Sequence, residues 1–239
     1  MGRVSGRTVT AALAAVVAGL AVSGCGSDDS EPPPPALGPT VSPPSIPADA
    51  PVPDAAALRA DLLGVDRLPA GFAALPDPEP DESAGFGDTD PPQCAKVLAP
   101  IADQTPGAVS RAAASFGGPN FTSVDIDAAA YANNTAAQAF SDAQSLLREC
   151  VRYSATESGD TAVRFRVGGL EQPSAGDAST AFRVDTTSDG LTLYSAVSVT
   201  LVGTTVVQVA LSGPEEPDPR RLTELTAAQV NALRGIAGP

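Results

Sequence analysis

The sequence predicts an α+β domain in which helices pack on an antiparallel β-sheet of about six strands. Three observations carry that reading. Residues 161–211 repeatedly alternate apolar and polar side chains, the period of half-buried strands. Asp189-Gly190 interrupts this run, and that dipeptide closes two-residue type I′ hairpins. Stretches with apolar residues at helical spacing precede, divide and follow the strand runs without alternating with each of them, which favours an antiparallel sheet with packed helices over βαβ units.

The chain opens with Arg3 and Arg7 before an apolar run over 9–22 that ends in Val22-Ser23-Gly24-Cys25. Those four residues resemble the lipobox of bacterial lipoproteins, Leu-[Ala/Ser]-[Gly/Ala]-Cys, with Val22 in place of Leu. An ordinary secretory peptide ends in a small-x-small site and needs no cysteine there. Residues 1–24 are therefore expected to be a lipoprotein signal peptide and Cys25 the lipidated residue. Loss of Arg3 and Arg7 takes the net charge from −14 to −16. Ten of the 24 prolines lie between Pro32 and Pro53, among few large apolar residues. Residues 25–53 are expected to be a disordered, Pro-rich tether reaching on the order of 75 Å in polyproline II. The folded domain is expected over 54–239.

Asp54 starts a first helix, 54–63, with Leu58, Leu62 and Leu63 on one stripe. A turn at 68–72 is expected to bury Phe72. Residues 77–90 carry six acids among Pro and Gly, but neither the spacing nor a bidentate Glu fits a calcium loop, so they read as a solvated acidic loop. Asp90-Pro91-Pro92 starts a helix over 90–101 that sets Cys94, Val97, Leu98 and Ile101 on one face. Residues 108–116 and 121–131 are strands, and in the second Val124 and Ile126 oppose Ser123, Asp125 and Asp127. The helix 135–150 aligns Ala136, Phe140, Ala143, Leu147 and Cys150, with Thr135 and Gln138 spaced as a capping box. Strand 161–167 turns Val163, Phe165 and Val167 inward and Arg164 and Arg166 outward. The hairpin of 180–187 with 191–201 is expected to pair Phe182 with Val197 and Val184 with Ser195, burying Leu193, Val197 and Val199. Strand 205–211 follows, and Asp218-Pro219 starts a last helix with Leu222, Leu225, Ala232, Leu233 and Ile236 on its stripe.

Composition excludes much chemistry. With no His, the chain cannot build a Ser-His-Asp or Cys-His triad or an imidazole zinc site. No phosphate loop, nucleophile elbow or dinucleotide turn occurs. A net charge of −14 with one Lys leaves no basic stripe for nucleic acid. No cofactor, metal site or catalytic residue is expected. Asp125 and Asp127, about 6.6 Å apart along one strand face, have a spacing compatible with a carboxylate hydrolase; the alternative is a solvent face paired with Arg164 and Arg166. Cys94 and Cys150 both face inward and would be exported to an oxidising compartment, so they form either a disulfide or two buried free thiols.

Pro92-Gln93-Cys94, Ala139-Phe140 through Arg148-Glu149-Cys150, and Val206-Val207-Gln208-Val209 before the closing helix resemble the extracellular sensor domain of the actinobacterial serine/threonine kinase PknH and related mycobacterial surface lipoproteins. The resemblance spans about 54–236, without the second disulfide of the kinase sensor and without a kinase domain. It implies an extracytoplasmic, lipid-anchored module with a cleft for an unidentified ligand. Two non-catalytic readings follow: a sensor-like domain binding an apolar small ligand between sheet and helices, or a module recruiting an envelope protein. The binding residues themselves are not legible.

Overall fold

A computed structural model of the chain describes residues 32–76, 88–156 and 161–236. Cys25 and the signal sequence lie outside them, as does most of the acidic run 77–90. The folded unit begins at Pro33.

Among the described residues the sheet has nine antiparallel strands, three more than expected: β1 (Ala73–Ala74), β2 (Thr89–Asp90), β3 (Ala108–Gly117), β4 (Ser123–Tyr131), β5 (Arg152–Thr156), β6 (Ala162–Gly169), β7 (Ala178–Ser188), β8 (Leu191–Val202) and β9 (Thr205–Gly213). Their spatial order is β1-β3-β4-β9-β8-β7-β6-β5-β2. The hairpin register holds as expected, with Phe182 opposite Val197 and Val184 opposite Ser195. Asp189 and Gly190 have φ of 49° and 79°, the left-handed pair that a type I′ turn demands.

Helices cover both faces. On one, α3 (Thr135–Glu149) packs Phe140, Ala143 and Leu147 onto Val163, Phe165, Phe182, Val184, Val197 and Val199. On the other, α1 (Ala55–Ala60) and α4 (Pro219–Leu233) cover Phe116, Val124, Ile126, Val207 and Val209 with Leu58, Leu222 and Leu225. The caps follow the sequence: Asp54 accepts the Ala57 N–H at 2.8 Å, and Asp218 accepts the Arg220 N–H at 2.9 Å ahead of Pro219. The two faces carry separate cores. Leu222 and Leu225 belong to the far core, and Leu193 is 42% exposed because it lies on the hairpin beyond α3. Ile236 is exposed past the Gly235 turn that ends α4. Phe72 is half-buried against the α1–α4 core.

The expected helix 90–101 is instead a 3₁₀ turn, Pro92–Lys96, followed by a short α2 (Ile101–Gln104). Pro100 lies between them and cannot continue a helical hydrogen-bond ladder. α3 starts as expected, but the Thr135–Gln138 capping box does not form; Asn134 occupies the cap position and makes no side-chain cap bond. Cys94 and Cys150 are bonded, tying the 3₁₀ turn to the end of α3, and both are fully buried.

Residues 33–53 differ most from expectation: they are docked on the domain as a strap. The strap crosses the sheet edge where the Gly169 N–H donates to Pro35 O at 2.8 Å. It then runs antiparallel to α3: Arg148 donates to Gly38 O, Gln144 accepts from the Val41 N–H and donates to Val41 O, and Asn134 accepts from the Ile46 N–H. Leu37, Val41 and Ile46 pack against the α3 core. Thr204 and Ser110 hold the Pro51 and Pro53 carbonyls. Prolines make this possible, since a chain already biased to extended polyproline II loses less entropy on docking.

A candidate ligand cleft walled by the strap

The interior between sheet and α3 is filled: Phe140 and Phe182 are 0% and 1% exposed. The open space lies at the sheet edge, where a cleft of about 760 Å³ forms between the strap, the loop after β6 and α4. Pro35, Ala36, Pro39 and Val41 make one wall. Leu170, Gln172 and Pro173 make a second, and Ser179, Thr180 and Ala181 at the start of β7 make the floor. Thr223, Thr226 and Ala227 close it from α4.

Each wall is held by its own bonds. Leu170 N–H donates to Ala181 O, keeping the loop on β7. Gln172 accepts from the Thr223 hydroxyl and donates to Pro219 O at 2.9 Å, which binds the loop to the start of α4. Ser198 and Thr226 share a hydroxyl–hydroxyl bond of 2.6 Å. Gly168 and Gly169 allow the strap this close: a side chain on Gly168 would meet Pro35 O at 2.8 Å, and one on Gly169 would meet Leu37 Cα at 3.2 Å. The lining mixes prolines and alanines with hydroxyls and one amide. Glu171 is its one ionisable side chain among the described residues.

The carboxylates singled out by the sequence do something else. Asp127 accepts the Ile101 N–H at 2.6 Å and a Gln208 amide at 3.2 Å, so it anchors the start of α2. Asp125 accepts from Ser123 at 3.0 Å. Neither meets Arg164 or Arg166, because β6 lies four strands from β4. Arg166 instead reaches Asp185, which also takes a forked bond from Arg183; Asp185 is 1% exposed, and Arg183 extends to Glu216 at 2.7 Å. This cluster, centred on the buried Asp185, gives β6 and β7 a polar contact. Among the described residues no group of three or more Cys, Asp or Glu is placed to hold a metal ion.

Burial pushes the Asp127 carboxyl up to about 7, opposed by its bond to Ile101 N–H and reinforced by the Asp125 and Asp103 charges. A folded-state value above the ordinary 3.8 means the native state favours the protonated acid. Its stabilising contribution is complete below pH 4 and is lost as pH rises through 7. Asp127→Asn keeps an acceptor for Ile101 without the charge and gives up the bond from Gln208, since its amide nitrogen would face another donor. We expect this variant to lose the stability slope between pH 5 and 8 and to gain about 1–2 kcal/mol at pH 8, a figure reduced for partial exposure. Urea titrations at the two pH values check it. An unchanged slope would place the titration elsewhere.

No family model matches the chain, and no curated protein aligns with it. Solved structures do, two of mycobacterial origin among them. The extracellular domain of PknH from Mycobacterium tuberculosis superposes with a TM-score of 0.54 at 15% identity, covering 78% of this chain and 99% of that one. An uncharacterised Mycobacterium smegmatis protein gives 0.41 at 18%, covering 71% and 92%. No helix among the described residues is long and apolar enough to cross a membrane. The described domain has the α+β fold of the PknH extracellular domain, closed by one disulfide.

Proposed function

We propose that this protein is an exported lipoprotein, anchored to the cell membrane through Cys25, whose non-catalytic sensor-like domain binds a ligand in the strap-walled cleft. The carrying observation is the cleft itself. It has the volume of a small-molecule site, apolar walls and a few converging polar groups, fixed by bonds to one another and, for Gln172, to the Pro219 carbonyl. The sensor-domain fold and the lipobox support the extracytoplasmic part of the reading.

The test is a thermal-shift screen of the mature protein against envelope lipids and cell-wall fragments. A ligand bound only by the native state raises its melting temperature. Ala181→Trp, which fills the floor of the cleft, should abolish the shift while leaving the unliganded melting temperature within a few degrees. A shift that survives Ala181→Trp defeats this site.

Anchoring is tested separately. Cys25→Ala is expected to leave the protein as unprocessed precursor or release it from the membrane, whereas the wild type partitions into the detergent phase. A wild-type protein recovered wholly in the aqueous phase would remove the anchor from the account.

The runner-up is a module that recruits an envelope protein. Phe121 favours it: the ring is 93% exposed at the tip of the β3–β4 hairpin, held there by a left-handed turn with φ of 59°. Failure of every ligand in the screen, with loss of partner capture in Phe121→Ser, would turn the assignment to that reading.

A further inference from the structure

The strap shortens the free link between anchor and domain. An undocked 25–53 tether would let the domain roam about 75 Å from the bilayer. With Pro35 bonded to Gly169, the first wall residue of the cleft is ten peptide steps from Cys25, a contour of at most about 36 Å. The cleft wall thus lies close to the anchor along the chain, within reach of the membrane surface.

The lining states which kind of occupant it suits. Among the described residues it holds no cation, and its one ionisable group, Glu171, is an acid in a chain of net charge −14. A phosphate or carboxylate headgroup would enter without a partner and against the field of the protein. The polar groups that border the same space are uncharged: the Thr180 hydroxyl, the Ser179 hydroxyl that also accepts the Ala175 N–H, and the Thr223 hydroxyl and Gln172 amide that bond each other. Val41, Leu170 and the strap prolines add an apolar wall. Polar floor and apolar wall in one cleft suit an amphipathic molecule.

We propose that the cleft takes the uncharged, hydroxylated headgroup of a lipid from the membrane that holds Cys25. This rests on the ligand-binding reading above and names its substrate class.

The experiment uses the lipidated full-length protein in phosphatidylcholine vesicles doped with photoreactive digalactosyl diacylglycerol. A second arm uses photoreactive phosphatidylglycerol, and a third the soluble photoreactive digalactosyl glycerol. Cross-linked peptides are mapped by mass spectrometry. The expected result is labelling of 170–181 and 223–227 by the galactolipid at least tenfold above the anionic lipid, lost in Ala181→Trp with labelling near Cys25 unchanged. Equal labelling by both lipids, or labelling confined to the residues beside Cys25, overturns the proposal. If the soluble headgroup labels the cleft and the lipid does not, the membrane source is wrong while the cleft remains a binding site. If no probe labels the cleft and no compound shifts the melting temperature, both readings fall together.

Discussion

Cys94→Ala/Cys150→Ala is expected to cost about 4 kcal/mol of stability and to lower the melting temperature by about 10 °C. The bond joins positions 56 apart, and the loop it closes contains β3, β4 and α3. Cross-linking so long a loop removes many unfolded conformations, which is where most of a disulfide's effect arises in the chain-entropy account. Here the effect is a large share of the total, because domains of this size are stable by only about 5–15 kcal/mol. It is also local, since the α3 core relies on small side chains, Ala136, Ala139 and Ala143, where larger ones would bury more area. Alanine is the replacement of choice: both sites are fully buried, and a serine would add an unsatisfied hydroxyl. Chemical denaturation of wild type and double variant measures the difference. Equal midpoints would show that the helical packing holds α3 without the bond.

Gly169→Val is expected to release the strap. Its Cβ would run into the Ala36 carbonyl oxygen, a backbone atom that no rotamer change can move aside. Undocking forfeits the Gly169–Pro35 bond, the paired bonds between Val41 and Gln144, the Arg148–Gly38 and Ile46–Asn134 bonds, and the packing of Leu37, Val41 and Ile46. Three half-buried side chains and these hydrogen bonds, several of them exposed, less the entropy recovered by the freed chain, leave a loss of about 2–3 kcal/mol. Binding should suffer more than stability, because the strap is a wall of the cleft. Gln144→Leu reaches the same strap from α3 without any steric clash and should mimic part of the effect. Hydrogen exchange at the Val41 amide reads both variants. Exchange at the wild-type rate in Gly169→Val would mean that the strap is held elsewhere.

Legibility in the sequence tracks how local the deciding physics is. The β7–β8 register was readable because Asp189-Gly190 fixes it within two residues. The starts of α1 and α4 are legible because Asp54 and Asp218 cap them, whereas α1 ends at Ala60 and α4 at Leu233, short of the expected 63 and 236. β5 was not: its five residues follow directly on Cys150, and only Tyr153 and Ala155 turn inward. What holds it is a distant partner, the Phe165 ring stacked 4.4 Å from Tyr153. β1 and β2, two residues each, exist only because an edge was there to pair with.

The strap was read as linker because its prolines dominate the composition, although Leu37, Val41, Ile46 and Val52 recur every four to six residues along it. The cleft was illegible for a related reason. Its walls come from segments near 35, 170, 180 and 225, which only the sheet order brings together. Its small hydroxyl side chains form no motif. Nor does a helix stripe state which face of a sheet it will cover, and Leu222 and Leu225 lie on the face opposite α3.

Native mass spectrometry of the lipidated protein, extracted from the membranes of the cells that make it, tests the central claim most directly. The account predicts a diacylated Cys25 and a second, non-covalent mass that Ala181→Trp abolishes while the acyl mass stays. A protein that carries its anchor but no bound molecule, in wild type and variant alike, would contradict the account of the cleft as a ligand site.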